Sequence, residues 1–468
     1  MSVIPLQKRV RGWMAFDWAS QPYNTLLLTF VFGPYFAEIV SDIYMSEGML
    51  ETSADAQAQS VWGIGQAVIG LFIAISAPVL GAMADNMGRR LPYIWVFSAL
   101  YVVGAAGLWF AHPESFNITL VLVLFGIGFI GMEFATTFTN AMLPDLGPPE
   151  ATGKISGIGW AVGYLGGLVS LVIMLLFFAE NSAGTTLLGI SPLFGLDPEA
   201  REGTRLVGPF AALWYIVFMV PFFLWVRDGP AVEERVAGGA SKALSELRNT
   251  LSKLPRTPSL SAFLGASMIY RDGLNGLYAF GGVYAKLVLD WSVIDIGIFG
   301  ILAVVTGAVF AWLGGLADEK IGSKRVVVVS ILALICATVG IASIAPSEVL
   351  WIDIGEAPVL AGKSGADIAF YVCGAIIGAA GGTVQAASRA LLVKQANPQR
   401  LTEAFGLYSL AGKATAFLAP ASIALVTSLT DSQRIGVTPL IGLFLLGLVL
   451  LIWVKPEGED DAVWASEN

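Results

Sequence analysis

Long apolar runs alternate with short polar turns along the whole chain, and a window of about 19 residues separates the runs. Twelve result, near 14–39, 61–83, 92–111, 118–142, 154–178, 206–226, 260–286, 293–316, 326–345, 367–391, 403–427 and 436–454. Each has about the 20 residues that a helix needs to cross a hydrocarbon core about 30 Å thick. Inside hydrocarbon the backbone must satisfy its own amides and carbonyls, so the pattern predicts an all-α polytopic membrane protein of twelve transmembrane helices. Composition agrees: 56% of the residues are hydrophobic and 13% charged, where a soluble domain carries about 25% charged residues.

The cations orient these spans. With the N-terminus inside, the inward segments hold Lys8, Arg9, Arg11, Arg89, Arg90, Lys154, Arg227, Lys324, Arg325, Lys394, Arg400, Lys455 and six more. The outward loops hold only Arg201, Arg205, Lys363 and Arg434. The positive-inside rule then predicts that both termini are cytoplasmic.

The second half repeats the first. Gly33 and Tyr35 align with Gly282 and Tyr284 at an offset of 249, Gly81 and Asp85 with Gly314 and Asp318 at 233, and Ala141, Leu143, Pro149 and Gly157 with Ala390, Leu392, Pro398 and Gly406 again at 249. Long loops over 41–60 and 346–366 account for the equal and opposite shifts. A parallel repeat of six spans is an organisation of secondary transporters, with a midplane site between the halves. The expected domains are a six-helix bundle over 1–227, a cytoplasmic linker over 228–258, a second six-helix bundle over 259–455 and an acidic cytoplasmic tail over 456–468. In the linker, Ala243, Leu244, Leu247, Leu251 and Leu254 recur at helical spacing, which predicts an amphipathic helix. A membrane-surface helix and an ordinary linker helix both fit it.

Polar side chains inside the spans point to chemistry, because an ionised group at the bilayer centre costs about 2.5–3.5 kcal/mol even on the lenient scale and must face a partner or water. The first span carries Asp17, Ser20, Gln21 and Asn24 on one helical face, and the fourth carries Glu133, Thr136, Thr137 and Asn140. The seventh offers Arg271, Asn275 and Tyr278 with Asp272 beside them, the tenth Gln385, Ser388 and Arg389, and the eleventh Ser409 and Lys413. The interiors of the third, sixth, ninth and twelfth carry no charge, as lipid-facing helices would. Depth counting puts Glu133, Arg271, Asp272 and Lys413 near the midplane. These two acids and two bases suit a zwitterionic or carboxylate-bearing solute, with Arg the better fork for a carboxylate. Arg271, Lys413, Gln21, Asn24, Asn275, Tyr278 and Gln385 are therefore the expected substrate contacts. Glu133, Asp272 and Asp17 are the expected proton-coupling acids, Glu133 first, because burial lets a carboxyl titrate as a cavity opens and closes. A structural ion-pair network is the competing reading of the same charges.

The remaining composition mainly excludes. The net charge of −9 comes with no basic cluster, so nucleic acid is not expected as a partner. Cys336 and Cys373 lie in apolar runs and His112 at a segment end, so neither a metal nor a cofactor is expected. A nucleotide loop, a histidine cluster and a Ser–His pair of plausible geometry are all lacking, which argues against an enzyme. A secondary transporter moving a small polar metabolite leads. An exporter of amphipathic or toxic compounds and a non-transporting membrane sensor are the alternatives.

Two short segments carry a resemblance. Gly81, Asp85, Gly88, Arg89 and Arg90 between the second and third spans are echoed by Gly314, Asp318, Gly322, Lys324 and Arg325. This doubled loop resembles the hallmark of the major facilitator superfamily, and the resemblance implies a conformational latch at Asp85, Arg89, Asp318 and Arg325. More narrowly, the segments Trp13 to Tyr23, Asn140 to Asp145, Ser156 to Tyr164 and Glu403 to Lys413 are similar to the vacuole-effluxer branch of that superfamily, although Ser20, Gln21 and Pro22 stand where that pattern has Asn-Ser-Ala. The similarity covers nearly the whole chain. It implies the twelve-helix fold, amino-acid efflux, residence in the cytoplasmic (inner) membrane and action as a monomer.

Overall fold

The structure, a computed structural model, describes residues 4–181, 183–228, 257–289, 291, 293–360, 362–430 and 432–459. The amphipathic helix expected near 243–254 lies outside the described residues, as does the tail beyond 459.

Among the described residues the chain is almost entirely helical. The order is α1 (Leu6–Pro22), a π-helical run (Tyr23–Phe30), α2 (Phe32–Ser46), α3 (Glu51–Met87), α4 (Leu91–Gly107), α5 (Ile118–Asn140), α6 (Thr152–Phe177), α7 (Glu202–Arg205) and α8 (Val207–Trp225). Then come α9 (Pro258–Leu289), α10 (Val293–Ile321), α11 (Ser323–Ser343), α12 (Gly365–Gln395), α13 (Leu401–Ala414), α14 (Leu418–Thr430), α15 (Gln433–Gly436) and α16 (Pro439–Leu451). Among the described residues eleven segments are long and apolar enough to cross a membrane. The 32-residue α9 stands where the seventh span is expected, and Arg271, Asp272 and Asn275 dilute its apolar character.

Local chemistry sets several boundaries. The Asn117 side chain accepts the Leu120 amide at 2.9 Å and starts α5. Ser364 and Asp367 form a reciprocal capping box at the head of α12. Gly322, at φ +84°, makes the one-residue turn from α10 to α11. In the 346–366 loop β1 (Glu348–Val349) pairs antiparallel with β2 (Ile352–Asp353), and β3 (Pro358–Leu360) with β4 (Lys363–Ser364). Leu350 and Trp351, both at positive φ, form the first tip, where a two-residue hairpin loop demands that backbone.

Two helices are interrupted inside apolar spans. Pro22 has no amide to give the Trp18 carbonyl, and the indole Nε1 of Trp214 takes that carbonyl at 3.2 Å. Beyond Pro22 the helix widens: the Val31 amide reaches Leu26 O at 3.0 Å and Thr29 Oγ1 reaches Asn24 O at 2.8 Å, both five residues back. The eleventh span is cut between Ala414 and Leu418, so that α13 and α14 are separate helices.

The chain forms two compact units. One lies within Met1–Ser76, Met87–Met142 and Val162–Val236, the other within Ala77–Asn86, Leu143–Ala161 and Ala237–Asn468. The second unit thus takes in the end of α3 and the start of α6. On α4, Trp95 and Val103 are exposed, as are Leu213 and Val217 on α8, Val329 on α11 and Leu446 on α16. Apolar faces of this kind are stable against lipid, where water is excluded.

Candidate functional site

In the first unit the polar face of α1 meets glycines of α6. A Cβ on Gly166 would stand 2.7 Å from Trp18 O, and one on Gly167 would stand 2.9 Å from Gln21 Cγ. Gly163 lies against Asp17, where its Cβ would be 3.5 Å from the Asp17 Cβ. Asp17, Gln21 and Asn24 are half-buried. Asn24 Nδ2 points at Met132 Sδ, 3.9 Å away on α5, and Thr136 Oγ1 donates to Met132 O at 2.8 Å. Glu133 is half-buried next to Met132, and its carbonyl accepts the Thr137 hydroxyl at 3.0 Å. Tyr23 is core: its hydroxyl donates to Phe125 O at 2.6 Å, and its ring packs edge-on against Tyr101.

In the second unit Arg271 and Asp272 bracket the cut in the eleventh span from α9. The Arg271 guanidinium lies 4.1 Å over the Tyr408 ring, donates to Tyr408 O at 3.1 Å and fills the space left by Gly412. Asp272 is 1% exposed, and its Oδ2 accepts the Ala419 amide at 2.9 Å, in the first turn of α14. Thr415, inside the cut, donates to Met268 O at 3.2 Å, one turn before Asp272. The base thus faces the C-terminal part of α13 and the acid the N-terminus of α14, each matching the partial charge of that helix end. Lys413 is half-buried, while Asn275 and Tyr278 are exposed. Tyr278 packs on Gly381, whose carbonyl accepts Gln385 Nε2 at 3.4 Å.

A cluster of helix ends occupies another part of the second unit. Asp85, 4% exposed, accepts the Glu403 amide at 2.9 Å in the first turn of α13. Gly81 and Gly406 permit this approach, for a Cβ on them would stand 2.5 Å from Thr402 O and 2.6 Å from Ala77 O. Its repeat counterpart Asp318, also 4% exposed, accepts the Ser323 hydroxyl at 3.0 Å and packs against Gly153 in the first turn of α6. In the same unit Arg389, 4% exposed, donates from Nε to Ser156 Oγ at 2.8 Å and from Nη2 to Ser156 O at 2.7 Å, with Trp160 beneath it. The Ser156 hydroxyl in turn donates to Ala386 O at 2.7 Å.

Of the expected latch residues, Arg89 and Arg325 are exposed, Asp85 accepts a backbone amide at the start of α13, and Asp318 accepts the Ser323 hydroxyl at the start of α11. Sequence reasoning missed Ser156 and Glu403 as partners, and missed Asp228, whose Oδ1 accepts the amides of Arg90 and Leu91 at the head of α4 at 2.9 and 3.1 Å. Most of these are side-chain-to-backbone contacts across long sequence separations. Their only signal is the small residue at the point of approach.

A family model described as "vacuole effluxer Atg22 like" matches residues 6–461. The chain belongs to the Atg22-like vacuole effluxer family. It is 24% identical over 460 residues to the uncharacterized MFS-type transporter YxiO of Bacillus subtilis, covering 97% of this chain and 96% of that one. It is 22% identical over 326 residues to autophagy-related protein 22-1 of Neosartorya fischeri, where 66% of this chain covers 49% of the fungal protein. Among solved structures it is similar to the human organic anion transporter MFSD10, with a TM-score of 0.69, 18% identity and coverage of 96% of this chain and 99% of that one. It is also similar to the proton:xylose symporter XylE, with a TM-score of 0.65, 13% identity and coverage of 98% of both. The Atg22-like chain is therefore a multi-pass membrane protein with the major facilitator fold, of a transporter family.

Proposed function

We propose that this Atg22-like protein is a proton-coupled secondary transporter that moves a small carboxylate-bearing solute, in the first instance an amino acid, by alternating access of its two six-helix halves. The observation that carries the reading is the pair Arg271 and Asp272 inside α9, a base and an acid kept within an apolar span at a cost of a few kcal/mol. Arg271 rests on an aromatic ring and a carbonyl, and a solute carboxylate offers a better, bidentate partner. Lys413, Gln21, Asn24, Asn275, Tyr278 and Gln385 complete the proposed contacts. Glu133 is the principal proton carrier, with Asp17 and Asp272 as further coupling acids. Asp85 and Asp318 act as the latch, each holding the start of a helix, with Arg89 and Arg325 serving the surface of the same turns. The protein works in the cytoplasmic membrane as a monomer with both termini in the cytoplasm, and it performs no enzymatic step.

Flux in proteoliposomes tests this reading with a panel of neutral, basic and acidic amino acids, with and without a pH gradient. Gradient-dependent movement of one class is expected. Glu133→Gln abolishes pH-driven accumulation and leaves substrate exchange intact; accumulation that persists in this variant removes Glu133 from the role. Silence across the panel with folded protein refutes amino-acid transport.

A further inference from the structure

Positive charge that the sequence spreads over three segments comes together at one end of the first unit. Gly12 of α1 lies against the last turns of α8, where its Cβ would stand 3.0 Å from Pro221 O and 3.2 Å from Val226 Cγ2. Lys8 and Arg9, one turn earlier, are on the same face of α1, with Arg11 beside it. The end of α8 is tied in turn to the head of α4, where Asp228 accepts the amides of Arg90 and Leu91. Arg227 donates to the carbonyls of Phe223 and Val226 at 2.7 and 2.8 Å, which fixes its guanidinium at the end of α8. Lys8, Arg9, Arg11, Arg89 and Arg227 thus share one rim, and Asp228, the acid that lies among them, is engaged with backbone. Arg9 Nε is buried with no hydrogen-bond partner among the described residues, a cost that a bound anion offsets.

One turn inside the rim the surface becomes apolar. Trp95 of α4 stacks on Phe223 of α8 with ring centroids 3.7 Å apart, and Trp95, Val96 and Leu224 are exposed. We propose that the rim binds the phosphodiester headgroup of an anionic phospholipid, with an acyl chain along Trp95 and Phe223, and that the bound lipid ties the ends of α1, α4 and α8 together. Guanidinium and ammonium groups meet the phosphate by charge-assisted hydrogen bonds, and an indole is at home at the headgroup level. A soluble phosphate would leave the apolar half without a partner, and a choline or ethanolamine headgroup would bring its own cation against those of the rim. The inference is independent of the solute carried. It takes from the transport reading only that these helix ends face the cytoplasm, where the leaflet is anionic.

Native mass spectrometry and thermal unfolding of the full-length protein in neutral detergent test the site with phosphatidylglycerol, phosphatidylcholine and acyl-free glycerol phosphate. Phosphatidylglycerol should be retained in preference to phosphatidylcholine and should raise the thermal midpoint, because a ligand of the folded state stabilises it by mass action. Its affinity should fall on the order of 20-fold in Lys8→Gln with Arg9→Gln, at roughly fivefold for each cation near a membrane surface. It should fall also in Trp95→Ala, while Lys320→Gln with Lys324→Gln, which removes two cations from the other unit, should leave it unchanged. All these positions are exposed or half-buried, and a midpoint without lipid equal to the parent's shows that each variant is folded. Equal retention of the two lipids, equal losses in the two cation pairs, or an affinity unchanged in the rim pair or in Trp95→Ala overturns the proposal. Glycerol phosphate that raises the midpoint at the same concentration as phosphatidylglycerol would assign the rim to a soluble phosphate and overturn the lipid. The readout involves no flux, so failure of the transport reading leaves it standing.

Discussion

Arg389 shows how one buried side chain ties two helices by its geometry. Its guanidinium reaches the hydroxyl and the carbonyl of Ser156 together, at 2.8 and 2.7 Å, which a fork can do and a point charge cannot. Arg389→Ala should therefore destabilise the purified protein by about 1.5–3 kcal/mol, the range for hydrogen bonds to a charged group. Arg389→Lys should recover less than half of that; a thermal midpoint equal to the parent for either variant contradicts the assignment. The acids at the helix starts are weaker ties. Asp85→Ala should cost about 0.5–2 kcal/mol, as for the loss of an N-terminal cap, and Asp85→Asn less, because an amide oxygen still accepts the Glu403 amide.

Helices are where the sequence was most legible, since a run of about 20 apolar residues has few other solutions in a bilayer. Within them, the positions of Arg271, Asp272, Glu133 and Lys413 follow from counting. What those side chains touch does not, because Tyr408 and Ala419 approach from helices whose rotation the apolar pattern leaves undefined. The cut after Ala414 was equally hidden: Thr415, Ala416 and Phe417 continue an apolar run, and the interruption exists through contacts with α9. The hairpins of 348–364 are held by pairs of only two or three residues, too short to show a period of two. Glycines at crossings give the sharpest prediction for helices. A Cβ at Gly157 would stand 2.5 Å from Ala311 O and 2.7 Å from Gly315 Cα, backbone atoms with no rotamer to yield. Gly157→Ala should cost about 1–3 kcal/mol, whereas Gly442→Ala, with open space around it, should be neutral or gain up to about 1 kcal/mol. Equal midpoints for the two variants would show that the crossing is not close.

Beyond α16 the chain returns to the start of α9. Glu459 accepts the Ser259 amide at 2.8 Å and the Lys455 ammonium at 2.7 Å, while Ser259 receives the Lys455 amide and bonds to Gln395, whose own amide donates to Lys455 O. Burial pushes the Glu459 carboxyl up, but the Lys455 and Ser259 bonds outweigh it and hold the group below the usual carboxylate range. A depressed value gives stability that is present above the unfolded carboxyl pKa and lost as pH falls through the folded one. The hydrogen-exchange protection factors of residues 259 and 260 should accordingly fall on acidification through that window, and in Glu459→Gln they should not change with pH across it. An acid response that persists in Glu459→Gln would assign it to another group.

On the scale of the molecule, the same clamp makes the segment from 259 to 459 a ring: residue 259 and residue 459 meet through one hydrogen bond, although 200 residues separate them. A ring closed by its own contacts does not depend on the covalent connection that precedes it. Two fragments severed between 228 and 257 and produced together should therefore find one another, co-purify and keep the thermal midpoint of the intact chain, while fragments carrying Ser259→Ala with Glu459→Ala should pair less completely. The connection over 229–256 would then serve as a tether that keeps the two fragments in equal number.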